Sequence, residues 1–212
     1  MKLLKNKLPD KQRKEGSSMW PVVVRKEDNG SERVYDLPSR LLKDRIILVF
    51  EKITSDAAAS IISQLLFLEA EDPKAPITMY INSPGGVITD GLAIYDTMNK
   101  VSCPIETVCV GIAASMGAVL LAAGSKGRRY AMPNSCVMIH QPLGGAEGQA
   151  TDIEISARRI LALREKIYNI LTDHSDCYFE EIAEACERDN YLSPKKALEI
   201  GIIDAIYETD EK

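Results

Sequence analysis

The chain has 212 residues, of which 45% are hydrophobic and 27% are charged, and its formal net charge is −5. This length suits one domain with a full-sized core, and the composition argues against disorder and fibrous repeats. The negative net charge argues against nucleic acid as a partner. The sequence contains no internal repeat and no low-complexity stretch.

The five cysteines are an odd number and include no Cys-x-x-Cys pair. This pattern indicates isolated thiols in a reducing compartment, so we expect a cytoplasmic protein without a disulfide framework or a metal site such as a zinc site. The 19 uncharged residues between Glu106 and Lys126 nearly reach membrane-spanning length. Gly111 and Gly117 interrupt them, so a buried strand and a buried helix are expected instead of a membrane span.

The first 38 residues divide into two segments. Residues 1–18 carry six Lys or Arg and two acidic residues, a net charge of +4. They lack the apolar run of a secretory signal and are interpreted as a detachable basic leader. Residues 19–38 combine the apolar run 19–24, a turn signal at 28–30 and a second short strand pattern, which predicts a hairpin.

From residue 40 onward, strand patterns alternate with helix patterns. The predicted strands are 46–50, 77–82, 105–110 and 137–140, and the predicted helices begin after Thr54 or Ser55, at Val87 (to Lys100) and at Ala114 (to Ala123). Gly124 is expected to end the last of these helices in a left-handed conformation. The alternation predicts an α/β fold whose mostly parallel sheet is covered on both faces.

A long helix is predicted over 151–174, with Thr151 or Asp152 as its cap. Its length is about 36 Å, whereas the radius of gyration of a globule this size is about 17 Å. Apolar residues also lie on more than one of its faces. We therefore favour a projecting helix buried against another subunit; the alternative is a long core helix.

Three strand ends carry candidate chemistry. Gly85 and Gly86 follow a strand and precede a helix, so their N–H groups could bind an oxyanion, but glycines at such a position are commonly only a tight turn. No phosphate-binding glycine motif accompanies them. Ser115 lies between a strand and a buried helix, where the helix dipole and the Met116 N–H would favour a nucleophile. The alternative is a helix-capping serine.

His140 closes a predicted strand, and His174 is expected to be a solvated C-terminal cap. A lone histidine at a strand end is commonly structural. Because a serine, a histidine and paired glycines all follow strands of one parallel sheet, we expect Ser115 and His140 to meet at one sheet edge. Asp189 would complete a Ser–His–Asp set, but composition does not distinguish it among 31 acidic residues.

Five stretches occur together in this chain: YINSPGGVIT from Tyr80, AASMG from Ala113, PNSCVMIHQPLGG from Pro133, GQATDIE from Gly148 and ERD from Glu187. In combination they resemble the ClpP family, the proteolytic subunits of ATP-dependent Clp proteases. The similarity runs from about Met19 to Tyr207. The chain order Ser–His–Asp differs from the Ser–Asp–His order of α/β-hydrolases.

This resemblance implies a crotonase-like spiral of parallel strands and helices with a projecting handle at 147–174. It also implies one peptidase domain over 19–212, with an axial hairpin at 19–38. Residues 1–18 would be a propeptide that is removed, so that the mature chain starts near Ser18 or Met19.

The resemblance further implies a serine endopeptidase that needs no cofactor. Ser115 would be the nucleophile, His140 the general base and then acid, and Asp189 the residue that orients the imidazole. The backbone N–H groups of Gly86 and Met116 would form the oxyanion hole.

Substrate and partner sites also follow from the resemblance. Gly144 and Gly145 would pair with an extended substrate as an added β-strand. Tyr80, Tyr130 and Met132 would line the groove that receives the docking loops of a hexameric AAA+ unfoldase. Family members are homo-oligomers of two stacked seven-membered rings that degrade unfolded polypeptides inside a barrel.

Two other functions remain open on the sequence. One is a catalytically silent ring subunit, which loss of Ser115 or His140 would mark. The other is an acyl-CoA hydratase or isomerase of the same fold. Such enzymes use acidic catalysts near the position of Ser115, and their ligand favours a basic groove, whereas residues 19–212 carry a net charge of −9.

Overall fold

The computed structural model describes residues 20–26 and 30–207. The chain divides after Lys43 into two compact units. The basic leader 1–18 and the expected mature start lie outside the described residues.

In chain order the elements are β1 (Val22–Lys26), β2 (Glu32–Asp36), α1 (Leu37–Lys43), β3 (Ile46–Val49), α2 (Ser55–Glu71), β4 (Ile77–Ser83), α3 (Ile88–Lys100), β5 (Ile105–Ala114), α4 (Met116–Ala122), β6 (Arg129–Ala131), β7 (Cys136–Ile139), α5 (Ala150–Asp173), α6 (Phe179–Ala185), β8 (Asn190–Leu192), α7 (Pro194–Glu199) and β9 (Ala205–Ile206).

The first unit contains two antiparallel strands, with Val24 of β1 opposite Val34 of β2. This pairing agrees with the predicted hairpin, whose turn residues 27–29 are not described. Helix α1 follows at once and was not predicted. The Asp36 carboxylate accepts a hydrogen bond from the Ser39 N–H at 2.7 Å. This bond holds the pKa of Asp36 below its usual value and satisfies one N–H of the first helical turn.

The second unit is built on a seven-stranded sheet, and the predicted α/β fold with a mostly parallel sheet is confirmed. Strands β3, β4, β5, β6 and β9 lie side by side in parallel. Strand β7 is parallel to the second half of β5, and β8 is antiparallel to β7. Strand β5 therefore changes partner along its length, from β6 at 107–109 to β7 at 112–114.

The change of partner in β5 lies beside a polar side chain from β4. The Asn82 Oδ1 accepts a hydrogen bond from the Ile112 N–H at 3.2 Å. The pairing of β4 with β5 shifts register at the same place, between Ile81 and Ser83. The shift sets which residues of β5 reach the carboxyl edge of the sheet.

Several element boundaries differ from the predictions. Strand β5 extends to Ala114, so α4 begins at Met116 and not at Ala114. Strands β6, β8 and β9 have only two or three residues, and helices α6 and α7 are short and carry charged residues, so they lack the apolar runs by which the other elements were predicted. Thr54 is the N-cap of α2, as one of the two alternatives proposed.

The expected left-handed conformation of Gly124 is wrong, since its φ is not positive. Glycine is required there by close packing: a Cβ on Gly124 would lie 2.4 Å from the Thr107 Oγ1. The 19 uncharged residues before Lys126 form most of β5 and all of α4, whose seven residues are buried. Among the described residues, no helix has the length and hydrophobicity needed to cross a membrane.

Helix α5 is long and only partly packed. It begins after Gln149, and neither Thr151 nor Asp152 is its cap. Its 24 residues extend about 36 Å. Buried residues occur only near its C-terminal end, from Ile167 to Leu171, whereas Ile155 is 58% exposed. In the single chain, the exposure of the N-terminal part of α5 supports the predicted projecting helix and not the alternative of a long core helix.

Arg129 of β6 is buried and joins three parts of the second unit. Its guanidinium forms a two-pronged ion pair with Asp204, with N···O distances of 2.9 and 2.6 Å. It also donates to the carbonyl oxygens of Ala122 and His174. Burial alone would raise the pKa of Asp204, but the hydrogen bonds and charge of Arg129 hold it below its usual value. The end of α5 is thereby fixed to β6.

His174 is the C-cap of α5, as expected, but it is half-buried and not solvated. Its Nε2 lies 3.1 Å from the Tyr95 hydroxyl. Burial and the neighbouring Arg129 lower the pKa of His174 below 6.5, while Asp173 acts in the opposite direction.

The lowered pKa of His174 predicts acid sensitivity of the fold. Below pH 6.5 the unfolded chain binds a proton at this position that the folded chain excludes, so stability decreases as pH falls toward the folded pKa. His174→Gln keeps a polar partner for Tyr95 but does not titrate. Denaturant unfolding at pH 7.5 and 5.5 should show a smaller loss of stability in the variant. Equal losses in both proteins would contradict this role for His174.

Candidate active site

Three neighbouring strand ends bring Ser115, His140 and Asp189 together. Ser115 follows β5 and His140 follows β7, and these parallel strands end at the same sheet edge. Asp189 precedes β8, whose Asn190 lies opposite Ile139. The Ser115 Oγ lies 2.9 Å from the His140 Nε2, and the His140 Nδ1 lies 3.0 Å from the Asp189 Oδ1. The arrangement is a continuous hydrogen-bonded relay from hydroxyl to carboxylate.

Ser115 has an unusual backbone conformation, with φ 54° and ψ −121°. A positive φ is costly for a residue with a side chain, and such strain persists only where the surroundings impose it. Here the Ser115 N–H donates to the Met138 carbonyl oxygen at 2.8 Å. Ser115 occupies the N-cap of α4, but its hydroxyl makes no capping bond. The structure therefore does not support the helix-capping alternative.

The loop that carries Asp189 is held from the His140 side. The Gln141 N–H donates to the Cys186 carbonyl oxygen at 2.6 Å, and the Gln141 side-chain amide donates to that of Glu187 at 2.8 Å. The His140 side chain is only 11% exposed, whereas that of Asp189 is 60% exposed. The hydrogen bonds of Gln141 to this loop therefore hold Asp189 next to the imidazole, although the Asp189 carboxylate is not buried.

The glycine pair after β4 packs directly against Ser115. Gly85 has a φ of +85°, and a Cβ placed on it would lie 2.6 Å from the Ser115 Cβ. A Cβ on Gly86 would lie 2.1 Å from the Ile53 carbonyl oxygen. Both positions therefore need glycine, because backbone atoms approach them too closely for a side chain.

Two backbone donors flank the serine. Within the part of the chain that the structure describes, no hydrogen bond occupies the N–H of Gly86 or that of Met116. The Met116 N–H is the first of α4, where helical N–H groups have no partner in the helix. The Met116 side chain is buried against Gly91 of α3, which fixes this end of α4.

This geometry can be compared with known families. A model of the Clp protease family matches residues 29–210, most of the chain. The chain belongs to the Clp protease family. The resemblance seen in the sequence is thereby confirmed, together with the crotonase-like fold and a ClpP-type peptidase domain.

A cleft of about 480 Å³ opens beside Ser115 and His140 in this Clp protease domain. Its other walls come from the glycine loop, from Pro142 and Leu143, and from Lys52. An adjoining cavity of similar volume is lined by His140, Gly144 and the loop at 187–189. Gly145 is exposed beside it. The two cavities share His140, Pro142 and Leu143 as lining residues, so they lie next to each other at the histidine.

Two of the three residues predicted to receive an unfoldase, Tyr80 and Tyr130, lie on one face of the sheet. Tyr80 of β4 and Tyr130 of β6 are level with Val108 of the intervening β5. Both tyrosines and Met132 are half-buried. Tyr207 stacks on Tyr130 with ring centroids 5.0 Å apart and extends the aromatic surface. Tyr207 was not singled out from the sequence, because a single aromatic near a chain end gives no pattern.

Other reactive groups near the site are less suited to catalysis. Burial raises the pKa of the Cys186 thiol to about 12, so this cysteine remains protonated and is a poor nucleophile. Among the described residues, no three His, Cys, Asp or Glu side chains are grouped closely enough to hold a metal ion.

Sequence reasoning missed two polar residues that support the site, Ser83 and Gln141. Ser83 ends β4 and is wholly buried, and Gln141 follows His140. The available signal was a polar residue at or just after the carboxyl end of a buried strand. Ser83 bonds to Glu51, 32 residues away in sequence, and Gln141 bonds to Glu187, 46 residues away, so neither contact could be predicted locally.

Proposed function

We propose that this chain is a serine endopeptidase, the proteolytic subunit of an ATP-dependent Clp protease. The observation that carries the proposal is the relay from the Ser115 Oγ through His140 to Asp189, with distances of 2.9 and 3.0 Å. These are the distances and the order of contacts that nucleophilic catalysis by serine requires.

The first chemical step is attack on the scissile carbonyl carbon. The His140 Nε2 accepts the Ser115 hydroxyl proton as the oxygen attacks, and Asp189 accepts a hydrogen bond from the Nδ1–H and stabilises the imidazolium. The Gly86 and Met116 N–H groups donate to the carbonyl oxygen, which becomes an oxyanion. Because both donors are fixed by the fold, little reorganisation is needed in the transition state.

In the later steps His140 acts first as a general acid and then again as a general base. The imidazolium of His140 donates its proton to the leaving amine, which releases the first product and leaves an acyl group on Ser115. A water molecule then loses a proton to His140 and attacks the ester carbonyl. The tetrahedral intermediate then breaks its bond to the Ser115 Oγ, which takes the proton back from the His140 imidazolium as the second product leaves with its new carboxyl group.

Substrate binding is proposed along Gly144 and Gly145. Residues 141–148 form no regular structure and are largely exposed, so their backbone groups can pair with an extended chain. Such pairing recognises backbone and tolerates many side chains. An unfolded polypeptide is therefore the substrate class that this surface suits.

Assembly and partner are proposed on two exposed surfaces. The projecting part of α5 exposes Ile153, Ile155 and Leu161, which would be covered by docking two seven-membered rings. Tyr80, Tyr130 and Met132 would receive apolar loops of a hexameric AAA+ unfoldase. The cytoplasm is the proposed compartment.

Active-site labelling tests this function. The purified protein is treated with a fluorophosphonate, digested for mapping of the labelled residue, and analysed intact by native mass spectrometry. We expect a label on Ser115 in a particle of about fourteen subunits. A fully assembled particle that hydrolyses no peptide and carries no label on Ser115 would support the silent ring subunit instead.

A further inference from the structure

Ser83 is a buried polar residue whose hydroxyl makes two hydrogen bonds. Its exposure is 0%, and it is the last residue of β4. The Oγ donates to the Glu51 carbonyl oxygen at 2.7 Å and accepts from the Gly85 N–H at 3.1 Å. A buried hydroxyl is costly unless it is hydrogen-bonded, so both bonds stabilise this arrangement.

These bonds restrict the orientation of Gly85 from both sides. Ser83 holds the Gly85 N–H, while the Gly85 carbonyl oxygen accepts a hydrogen bond from the Ile53 N–H at 2.9 Å. That carbonyl belongs to the same peptide group as the Gly86 N–H. Because a trans peptide is planar, its C=O and N–H point in opposite directions. Fixing the Gly85 carbonyl therefore fixes the direction of the Gly86 N–H.

Gly85 itself also lies against the proposed nucleophile, Ser115. A Cβ on Gly85 would lie 2.6 Å from both the Ser115 Cβ and the Ala114 carbonyl oxygen. Rotation of Gly85 would thus change the relation between the Gly86 donor and Ser115. The Met116 donor belongs to α4, and among the described residues the Ser83 hydroxyl forms its hydrogen bonds with Glu51 and Gly85 and none with Met116.

We propose that Ser83 is a positioning residue for catalysis, which aims the Gly86 N–H at the oxyanion that forms on attack by Ser115. The inference rests on the proposed peptidase function and adds to it a residue that does not touch substrate. Loss of the Ser83 hydroxyl should weaken one oxyanion donor and leave the other, and it should leave the substrate-pairing surface at Gly144 and Gly145 intact.

The test compares Ser83→Ala with a matched control, Ser135→Ala. Ser135 is also a buried serine, and its Oγ donates to the Met132 carbonyl oxygen at 2.7 Å, outside the catalytic cleft. Removal of one oxyanion donor lowers kcat by about 10²- to 10³-fold. For a misaimed donor we expect a smaller loss in Ser83→Ala, about 10- to 100-fold in kcat, with KM within about threefold of wild type.

A second measurement separates this role from a general structural one. A peptide boronate forms a tetrahedral adduct with the serine and places an oxygen in the oxyanion hole. Its affinity for Ser83→Ala should fall in parallel with kcat, whereas product-peptide affinity should not. Ser135→Ala should retain kcat and boronate affinity.

Several outcomes decide the proposal. Unchanged kcat in an assembled Ser83→Ala variant would overturn it and leave the peptidase function standing. Equal losses in Ser83→Ala and Ser135→Ala, or failure of Ser83→Ala and the size-conserving Ser83→Cys to assemble, would assign Ser83 to folding alone. Absence of hydrolysis in the assembled wild-type protein would instead overturn the proposed function, and this inference with it.

Discussion

Ser115→Ala is expected to lose peptide hydrolysis by about 10⁴- to 10⁶-fold. The substitution removes the only nucleophilic oxygen that lies within 2.9 Å of the His140 Nε2 among the described residues. The two backbone donors remain, so substrate can still be bound and polarised. Steady-state hydrolysis of a fluorogenic peptide measures the loss.

Two further readouts make this result specific. The variant should take up no fluorophosphonate at position 115, and its native mass should show wild-type assembly. If removal of residues 1–18 is autocatalytic, the leader should remain attached. Ser63→Ala, on the exposed surface of α2, serves as the control. Retention of activity in Ser115→Ala would refute the proposed nucleophile.

Asp189→Asn is expected to lower kcat by about 10²- to 10⁴-fold, by analogy with other serine peptidases. The asparagine amide would donate to the His140 Nδ1 and favour the tautomer whose proton is on Nε2. That nitrogen could then no longer accept the Ser115 proton. Peptide hydrolysis under conditions of wild-type saturation measures kcat, and KM should change little.

The position of Asp189 calls for a second measurement. The Asp189 side chain is 60% exposed. The two residues before it, Glu187 and Arg188, are also exposed and could contact another subunit. Sedimentation velocity on Asp189→Asn should show the same particle as wild type. Asp56→Asn, in the exposed first turn of α2, controls for a change of charge. An assembled variant with wild-type kcat would contradict the orienting role.

Only part of the site could be predicted from local sequence. Ser115 and His140 follow strands long enough to show an apolar pattern, and parallel strands bring their carboxyl ends to one edge. Asp189 precedes a three-residue strand in a loop rich in acidic residues, so nothing local distinguished it. The family resemblance pointed to it, and the antiparallel pairing of β8 with β7 brings it to the imidazole.

The glycine loop at Gly85 and Gly86 likewise combines features that local sequence indicates with contacts that it does not. Two glycines after a strand indicated free N–H groups, but glycines at such a position are commonly only a tight turn. The packing of Gly85 on Ser115, and the hydrogen bond from the Ser83 hydroxyl to the Glu51 carbonyl oxygen, join residues about 30 apart in sequence. Such contacts depend on how β3, β4 and β5 lie side by side.

Sequence reasoning alone was enough to predict the alternation of the longer strands and helices, the mostly parallel sheet, the projecting helix α5 and the strand-end positions of Ser115 and His140. These features follow from periodicity, glycine placement and chain length, which act over a few neighbouring residues. The register shift beside Asn82, the unusual φ of Ser115 and the orientation of the peptide between Gly85 and Gly86 became apparent only in the folded structure. Each of these is imposed by backbone groups distant in sequence, whose contacts exist only after the sheet has formed.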